Sequence, residues 1–277
     1  MLHSLKKFFK SKMVATNYDT YNNEVAGLTA PNLHSGIRYE ISRAIFPFLQ
    51  LSSVGSYDKK QKSHQYFATV SSNRSIFQFS TDNSRNYQFK SSFVIGPLVN
   101  KVHSIISSKK EVFNQIESIY NSKFYNIGLK LISPAYEASN LIYVINYWRS
   151  LGHLCFGAEA VGFKNELGIS FSTRYENEDS VYCFNLQRFN LITVSFYKKI
   201  MKKLEIGAEV KKSQEYFSTA AGVRLRNFKN DIKCTIDQRL NMNTSWNEKL
   251  SENISIDFTC GYDFEDFDYG IGISYES

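Results

Sequence analysis

The most constraining feature of this chain is an alternation of apolar and polar residues with a period of two, repeated from about Gly36 to the carboxyl end. Residues 204–211 (LEIGAEVK) and 253–260 (NISIDFTC) place apolar side chains on one face of an extended strand and polar or small ones on the other. Residues 269–275 (YGIGISY) follow the same rule. The pattern predicts many β-strands, each with one apolar and one polar face.

Polar clusters separate these strands at short intervals, as at 58–63, 81–84 and 226–231. Dividing residues 36–276 by about 12 to 14 residues for a strand and its turn gives roughly 17 to 20 strands. A sheet of that size must close, because open edges invite aggregation. We therefore predict an all-β chain whose residues 36–277 form a transmembrane β-barrel of roughly 19 mostly antiparallel strands. Residues 1–35 are predicted to be a basic tail and a short helical segment.

The composition agrees with a barrel wall between water and lipid. The chain has 277 residues, is 43% hydrophobic and 15% aromatic, and has a mean hydropathy of −0.33. Its aromatic content excludes disorder, and no stretch approaches the roughly 18 apolar residues of a transmembrane helix. The polar faces suit a water-filled lumen and the apolar faces suit lipid. Aromatic residues near strand ends predict interfacial girdles; they are Tyr39, Tyr143, Tyr147, Trp148, Tyr175, Tyr197, Tyr269 and Tyr275.

The chain lacks the signatures of an enzyme or a metalloprotein. It contains no GxxxxGK[ST], HExxH or GxSxG motif. The four cysteines (155, 183, 234 and 260) lie far apart, with no CxxC pair, and are interpreted as small apolar strand residues. The five histidines are equally dispersed. We expect no catalysis, no cofactor and no metal.

The amino end has two possible interpretations. Residues 1–12 are basic but lack the 7–15-residue apolar core of a secretory signal. Leu5, Phe8 and Phe9 lie opposite lysines at helical spacing, which suits a membrane-surface segment. A solvated basic tail is the alternative.

Several stretches, in this order and spacing, resemble the central channel subunits of the translocase of the mitochondrial outer membrane, within the eukaryotic porin superfamily. The resemblance extends from about Tyr18 to Glu276. Its stretches are 36–43, 124–134, 154–161, 168–175, 195–199, 204–209, 236–237 and 270–275. The chain departs from the family pattern at Gln238 and Arg239, where the family continues with serine and a nearby glycine.

The resemblance implies a pore that passes unfolded precursor proteins into a mitochondrion or a mitochondrion-derived organelle. It also implies receptor and small translocase subunits as partners, the sorting and assembly machinery during biogenesis, a lipid bilayer around the barrel, and a homo-oligomer. Presequences are basic amphipathic helices, so lumenal carboxylates would attract them. Strand parity places six acidic candidates on the polar faces: Glu40, Glu159, Glu205, Glu209, Asp237 and Asp257. The alternative is that they pair with neighbouring cations across strands.

The last predicted strand also matches the signal that mitochondrial barrels present to their assembly machinery. The signal is a polar residue, a glycine and two hydrophobic residues at fixed spacing. Asp268, Gly270, Ile273 and Tyr275 occupy those positions.

Two other functions remain to be weighed. A voltage-dependent anion channel has the same barrel and would use a basic lumen for metabolites. The net charge of +7 keeps this alternative open, with five cations predicted to face inward: Arg38, Lys130, Arg174, Lys211 and Lys233. A nucleic-acid binder would need aromatic stacking platforms among clustered cations. Here the aromatics follow the apolar phase of the strands, so nucleic acid is not expected as a partner.

Overall fold

The computed structural model describes residues 17–30, 33–58, 62–109, 111–134, 140–264 and 266–277. They form a closed barrel of nineteen strands, which make up 73% of the chain, and one short amino-terminal helix. The prediction of the fold is confirmed. The strands are β1 (Gly36–Phe46), β2 (Leu49–Tyr57), β3 (Lys62–Ser71), β4 (Ser75–Asp82), β5 (Tyr87–Ile95), β6 (Leu98–Ile106), β7 (Val112–Asn121), β8 (Tyr125–Ser133), β9 (Ile142–Leu151), β10 (Leu154–Phe163), β11 (Glu166–Glu176), β12 (Ser180–Gln187), β13 (Leu191–Met201), β14 (Leu204–Lys212), β15 (Phe217–Arg226), β16 (Asn230–Asp237), β17 (Met242–Lys249), β18 (Ile254–Asp263) and β19 (Asp266–Glu276).

Each strand pairs antiparallel with the next, and the barrel closes where β1 meets β19. An odd number of alternating strands leaves the first and the last running in the same direction, so this seam is parallel. Gly36 lies opposite Gly270 and Ser42 lies opposite Glu276. Closure leaves no open edge, so that every strand has a hydrogen-bonding neighbour on both sides.

The barrel has two ends, which we name by the bounds of β1. The Gly36 rim is the end at which β1 begins and the β18–β19 connection lies. The Phe46 rim is the end at which β1 and β19 finish.

The two faces of the wall differ as the alternation predicts. On β1, for example, Ile37 and Ile41 project outward and are 61% and 49% exposed in the absence of lipid. Many other large apolar side chains are exposed on the same outer face. Such a continuous apolar exterior is stable only against lipid.

One detail of the predicted aromatic girdles is wrong. Trp148 and Tyr197 lie on the inner face of the wall, where they are 1% and 6% exposed. Trp148 shares a buried cluster with Tyr18 of the amino-terminal segment, and Tyr197 shares another with Val25. The alternation within the strand already indicates the inward position of Trp148, because Trp148 directly follows the outward-facing Tyr147 and must point to the opposite face.

The amino-terminal segment enters the lumen. It comprises a 3-10 turn (Tyr18–Thr20) and helix α1 (Asn23–Thr29). The turn contacts β9 and β10, and α1 contacts β13 to β16. Within the described residues, no helix is long and apolar enough to cross a membrane.

Candidate functional site in the barrel lumen

The lumen-facing residues of β8 to β16 form a wall on which the amino-terminal segment docks; we call β8–β16 the covered wall. Asn126 donates a 2.6 Å hydrogen bond to Asn17, and Lys130 makes a 2.9 Å ion pair with Asp19. At the other end, Lys233 donates to the carbonyl oxygen of Ala30. These contacts hold the segment from one end to the other.

The centre of this interface is Arg174 on β11, whose side chain is fully buried. Its Nη1 and Nη2 atoms each donate a 2.7 Å hydrogen bond to the carboxylate of Glu24. The guanidinium also donates to the carbonyl oxygen of Tyr21 at 2.6 Å and to Glu176 at 2.9 Å. A bidentate arginine–carboxylate pair fixes orientation as well as distance, so Arg174 sets the position of α1.

Burial and the Arg174 guanidinium act in opposite directions on Glu24. Desolvation disfavours the ionised carboxylate, but the hydrogen bonds and positive charge of Arg174 outweigh it and lower the pKa of Glu24 below its ordinary value. Glu24 is therefore held as a carboxylate in the docked segment.

Apolar and aromatic packing completes the interface. Tyr18 and Tyr21 lie over Trp148, with ring centroids 6.2 and 6.4 Å away. Within α1, Val25 and Leu28 pack into a second buried cluster with Val181, Cys183 and Tyr197, which Tyr21 also contacts.

Two glycines let α1 approach the sheet closely. A Cβ atom added to Gly222 would lie 2.3 Å from the carbonyl oxygen of Leu28, and one added to Gly207 would lie 3.0 Å from the Leu28 side chain. Gly207 and Gly222 lie directly opposite each other on β14 and β15. Gly207 and Gly222 therefore form the flat surface on which α1 packs.

The six acidic candidates all lie on the lumen face but differ in their surroundings. Glu209 accepts a 3.1 Å hydrogen bond from Asn22 and pairs with Lys211 at 3.0 Å. Asp257 lies 3.4 Å from His34. Asp237 accepts hydrogen bonds from Arg239 and Asn241 in the turn after β16. These three carboxylates therefore hold the protein's own segments.

The other three acidic candidates make no ion pair with the described part of the amino-terminal segment, and Glu159 and Glu205 are only partly exposed. Glu40 is 3.5 Å from Arg38, and both side chains are nearly half exposed. Glu205 lies opposite Lys199 and Arg224 in the ladder without an ion pair to either. Glu159 has no ion-pair partner among the described residues.

The cations predicted to line a basic lumen are largely engaged. Lys130, Arg174 and Lys233 hold the amino-terminal segment. Arg38 and Lys211 lie within ion-pair distance of Glu40 and Glu209. Exposed lumen-facing lysines are Lys90 on β5, Lys101 on β6, Lys199 on β13 and Lys249 on β17.

A group of carboxylates at the Gly36 rim lies outside the six sequence candidates. Asp263 and Asp266 lie directly opposite each other on β18 and β19, and Asp268 is the next inward residue on β19. All three are exposed, and none has an ion-pair partner in the part of the chain that the structure describes. The sequence indicates that Asp263 faces the lumen, because it lies an even number of residues after Asp257 on β18 and therefore shares its face. We call these three residues the acidic rim.

The proposed assembly signal lies on β19 at the closing seam. A Cβ atom added to Gly270 would lie 2.0 Å from the carbonyl oxygen of His34, so the backbone of His34 packs closely against this glycine. Ile273 and Tyr275 point outward and are 49% and 41% exposed. Asp268 belongs to the acidic rim as well. Among the described residues, no group of three or more His, Cys, Asp or Glu side chains has the arrangement of a metal site.

A closed barrel with an apolar exterior, a polar lumen and an internal segment defines a pore-forming membrane channel. The model of the eukaryotic porin family matches residues 14–272. The chain belongs to the eukaryotic porin family and is a pore-forming channel of the outer-membrane β-barrel type. Among proteins with a curated description, none matches the sequence.

Solved structures of a bacterial porin are similar to this chain at low sequence identity. A triple mutant of the porin of Rhodopseudomonas blastica is 10% identical, with 79% of this chain and 88% of that chain covered at a TM-score of 0.42. Another mutant of the same porin is 9% identical, with 84% of this chain and 94% of that chain covered at a TM-score of 0.43.

Proposed function

We propose that this channel conducts unfolded precursor proteins across the outer membrane of a mitochondrion or a mitochondrion-derived organelle. Its substrates would carry basic amphipathic presequences, and receptor and small translocase subunits would deliver them. The observation that carries the proposal is the acidic rim: Asp263, Asp266 and Asp268 face the lumen, exposed and unpaired among the described residues. A cationic helix of about 10–12 Å diameter would meet these charges on entering from that end.

The arrangement of cations supports the same proposal. Three of the five cations predicted for an anion channel hold the amino-terminal segment, so their charge does not face a passing metabolite. Lys199 and Lys249 lie near the Phe46 rim, at the end opposite the acidic rim. The Phe46 rim carries both signs, because Lys199 lies opposite Glu205 and Arg224 pairs with Asp231, whereas the acidic rim at the other end carries three carboxylates. A cationic segment would be attracted at the Gly36 rim.

Single-channel recording in a planar bilayer tests this proposal. A basic presequence peptide added at the Gly36 rim should block the current of the wild-type channel. The double substitution Asp263→Asn/Asp266→Asn should weaken the block by about 5- to 30-fold, because each exposed charge contributes roughly 0.5–1 kcal/mol. The block should also weaken as salt rises.

The matched control is Lys199→Gln/Lys249→Gln, which removes two lumenal charges from the other mouth. This variant should leave block from the Gly36 rim unchanged. If the wild-type channel ignores the peptide, or if both double variants respond alike, the proposal is wrong.

One observation favours a metabolite channel as the second candidate. Lys90 and Lys101 project into the lumen from β5 and β6, where Lys90 lies opposite His103. Lys101 is only loosely paired, at 3.5 Å from Glu117. An anion-selective current that Lys90→Gln/Lys101→Gln abolishes, together with indifference to the peptide, would favour this function.

The role of β19 as an assembly signal is also a proposal. Ile273 and Tyr275 are accessible on the outer face beside the closing seam. Import of radiolabelled chain into isolated organelles should stall for Ile273→Asn, whereas Ile271→Asn, on the same face but outside the signal, should assemble. Equal assembly of both variants would contradict the signal.

A further inference from the structure

Three cations interrupt the apolar phase of the outer face near the Phe46 rim. Arg43 on β1, Arg149 on β9 and Lys198 on β13 occupy outward positions and are exposed. None has an ion-pair partner among the described residues. A cation on a lipid-facing strand is costly at the membrane centre but is tolerated near the interface, where it reaches the headgroups. The Phe46 rim therefore presents these three positive charges to a layer of headgroups.

Arg43 differs from the other two cations because it borders a groove. The groove runs over the outer face of β1 to β4 and has a volume of about 380 Å³. In the sheet, Arg43, Leu51, Ala68 and Phe79 form one row of neighbours, and Ile41, Ser53, Tyr66 and Thr81 form the next. Ser53 and Ala68 are small, whereas Leu51, Tyr66 and Phe79 are large. The groove exists because large side chains surround small ones.

The chemistry along the groove changes from one end to the other. Arg43 supplies a guanidinium on the side nearer the Phe46 rim, and the middle is apolar. The Ser53 hydroxyl is already within 3.1 Å of His64, whose ring also bonds the Tyr39 hydroxyl at 2.7 Å. These polar groups satisfy one another, so that the free charge of the groove is that of Arg43.

We propose that this groove is a binding site for one anionic phospholipid, with its phosphate on Arg43 and an acyl chain along Leu51, Ala68 and Phe79. A planar guanidinium with five donors matches a phosphate, and the apolar floor matches a hydrocarbon chain. The depth of Arg43, one outward position inside Ile45, suits a headgroup at the interface above a chain in the membrane. The site depends only on the membrane barrel and is independent of what the channel conducts.

Native mass spectrometry of the detergent-purified chain tests the site, with phosphatidylglycerol and phosphatidylcholine of equal chain length as probes. The wild-type chain should retain one phosphatidylglycerol in preference to phosphatidylcholine. Arg43→Gln should lower that retention about fivefold, the effect of one charge near a membrane surface. Arg149→Gln is the matched control: it removes an outward arginine near the same rim that does not line the groove, so retention should persist.

A second variant tests the groove separately from the charge. Ala68→Phe fills the groove while Arg43 stays in place, and it should also reduce retention of phosphatidylglycerol. Far-ultraviolet circular dichroism confirms that each variant is folded. If Arg43→Gln and Arg149→Gln lose phosphatidylglycerol retention equally, the retention depends only on the total charge near the Phe46 rim, and the proposed site is wrong. Undiminished retention by Ala68→Phe, or a polypeptide that occupies the groove in place of the lipid, would overturn it as well.

Discussion

The covered wall, β8 to β16, and the strands β1 to β7, which we call the open wall, follow the same alternation but use their inner faces differently. On the covered wall, Trp148 and Arg174 are among the largest fully buried side chains of the described chain. On the open wall, Lys90 and Lys101 face the lumen and are exposed. The difference shows that only part of the lumen-facing surface is exposed to water. The covered wall is an interface for the chain's own amino end.

The largest expected effect comes from removing Arg174. In a Trp246→Phe background, Trp148 is the sole tryptophan and reports on docking. Arg174→Ala leaves Glu24 and Glu176 without their shared cation, and breaking a buried pair in this way costs about 3 kcal/mol. We expect the amino-terminal segment to leave the covered wall, so that Trp148 emission shifts to longer wavelength and acrylamide quenches it more strongly.

Lys90→Ala on the open wall is the control for that experiment. It removes a lumenal cation that makes no ion pair with residues 17–30 in the described part of the chain. If Lys90→Ala shifts the Trp148 emission as much as Arg174→Ala does, the two walls do not differ as described.

A pair of glycine substitutions separates close approach from helix propensity. Gly222→Ala places a Cβ atom 2.3 Å from a backbone oxygen of α1, so α1 must move away, at a cost of about 1–3 kcal/mol. Gly27→Ala meets nothing within 4 Å and should instead stabilise α1 by roughly 0.5–1 kcal/mol. Acrylamide quenching of Trp148 should therefore increase in the first variant and decrease in the second. Changes of the same sign would contradict this packing.

Acid should release the amino-terminal segment. Because the pKa of Glu24 is lower in the docked state than its ordinary value of 4.5, the contribution of this carboxylate to docking is complete above that value. It is lost as the pH falls through the lowered pKa. Trp148 quenching should rise as the pH falls below 4.5. Glu24→Gln should dock more weakly and lose this part of the pH dependence; an unchanged profile would assign the acid response to another group.

The sequence predicted the barrel well and the lumen less well, for a physical reason. Alternation and turn spacing are local, so they determine strands, approximate strand number and the face of each residue, including Glu159 and Glu205. Whether an inward residue meets water or α1 depends on contacts such as Glu24–Arg174, whose members are 150 residues apart. No local pattern could therefore assign Arg174 to docking, nor place Trp148 beneath Tyr18. The outward position of Arg43, by contrast, follows from parity alone.

The smallest expected effect concerns the ion pair of Asp19 with Lys130 at the edge of the covered wall. The Lys130 side chain is 17% exposed and that of Asp19 is 39% exposed, so solvent screens the pair and Asp19→Asn should weaken docking by only about 0.5 kcal/mol. Added salt should remove most of the difference between wild type and variant. Glu40→Gln, which breaks the 3.5 Å pair with Arg38 on β1 of the open wall, should leave Trp148 quenching unchanged at any salt concentration. A salt-insensitive loss in Asp19→Asn would mean that Asp19 acts through packing of the 3-10 turn and not through its charge.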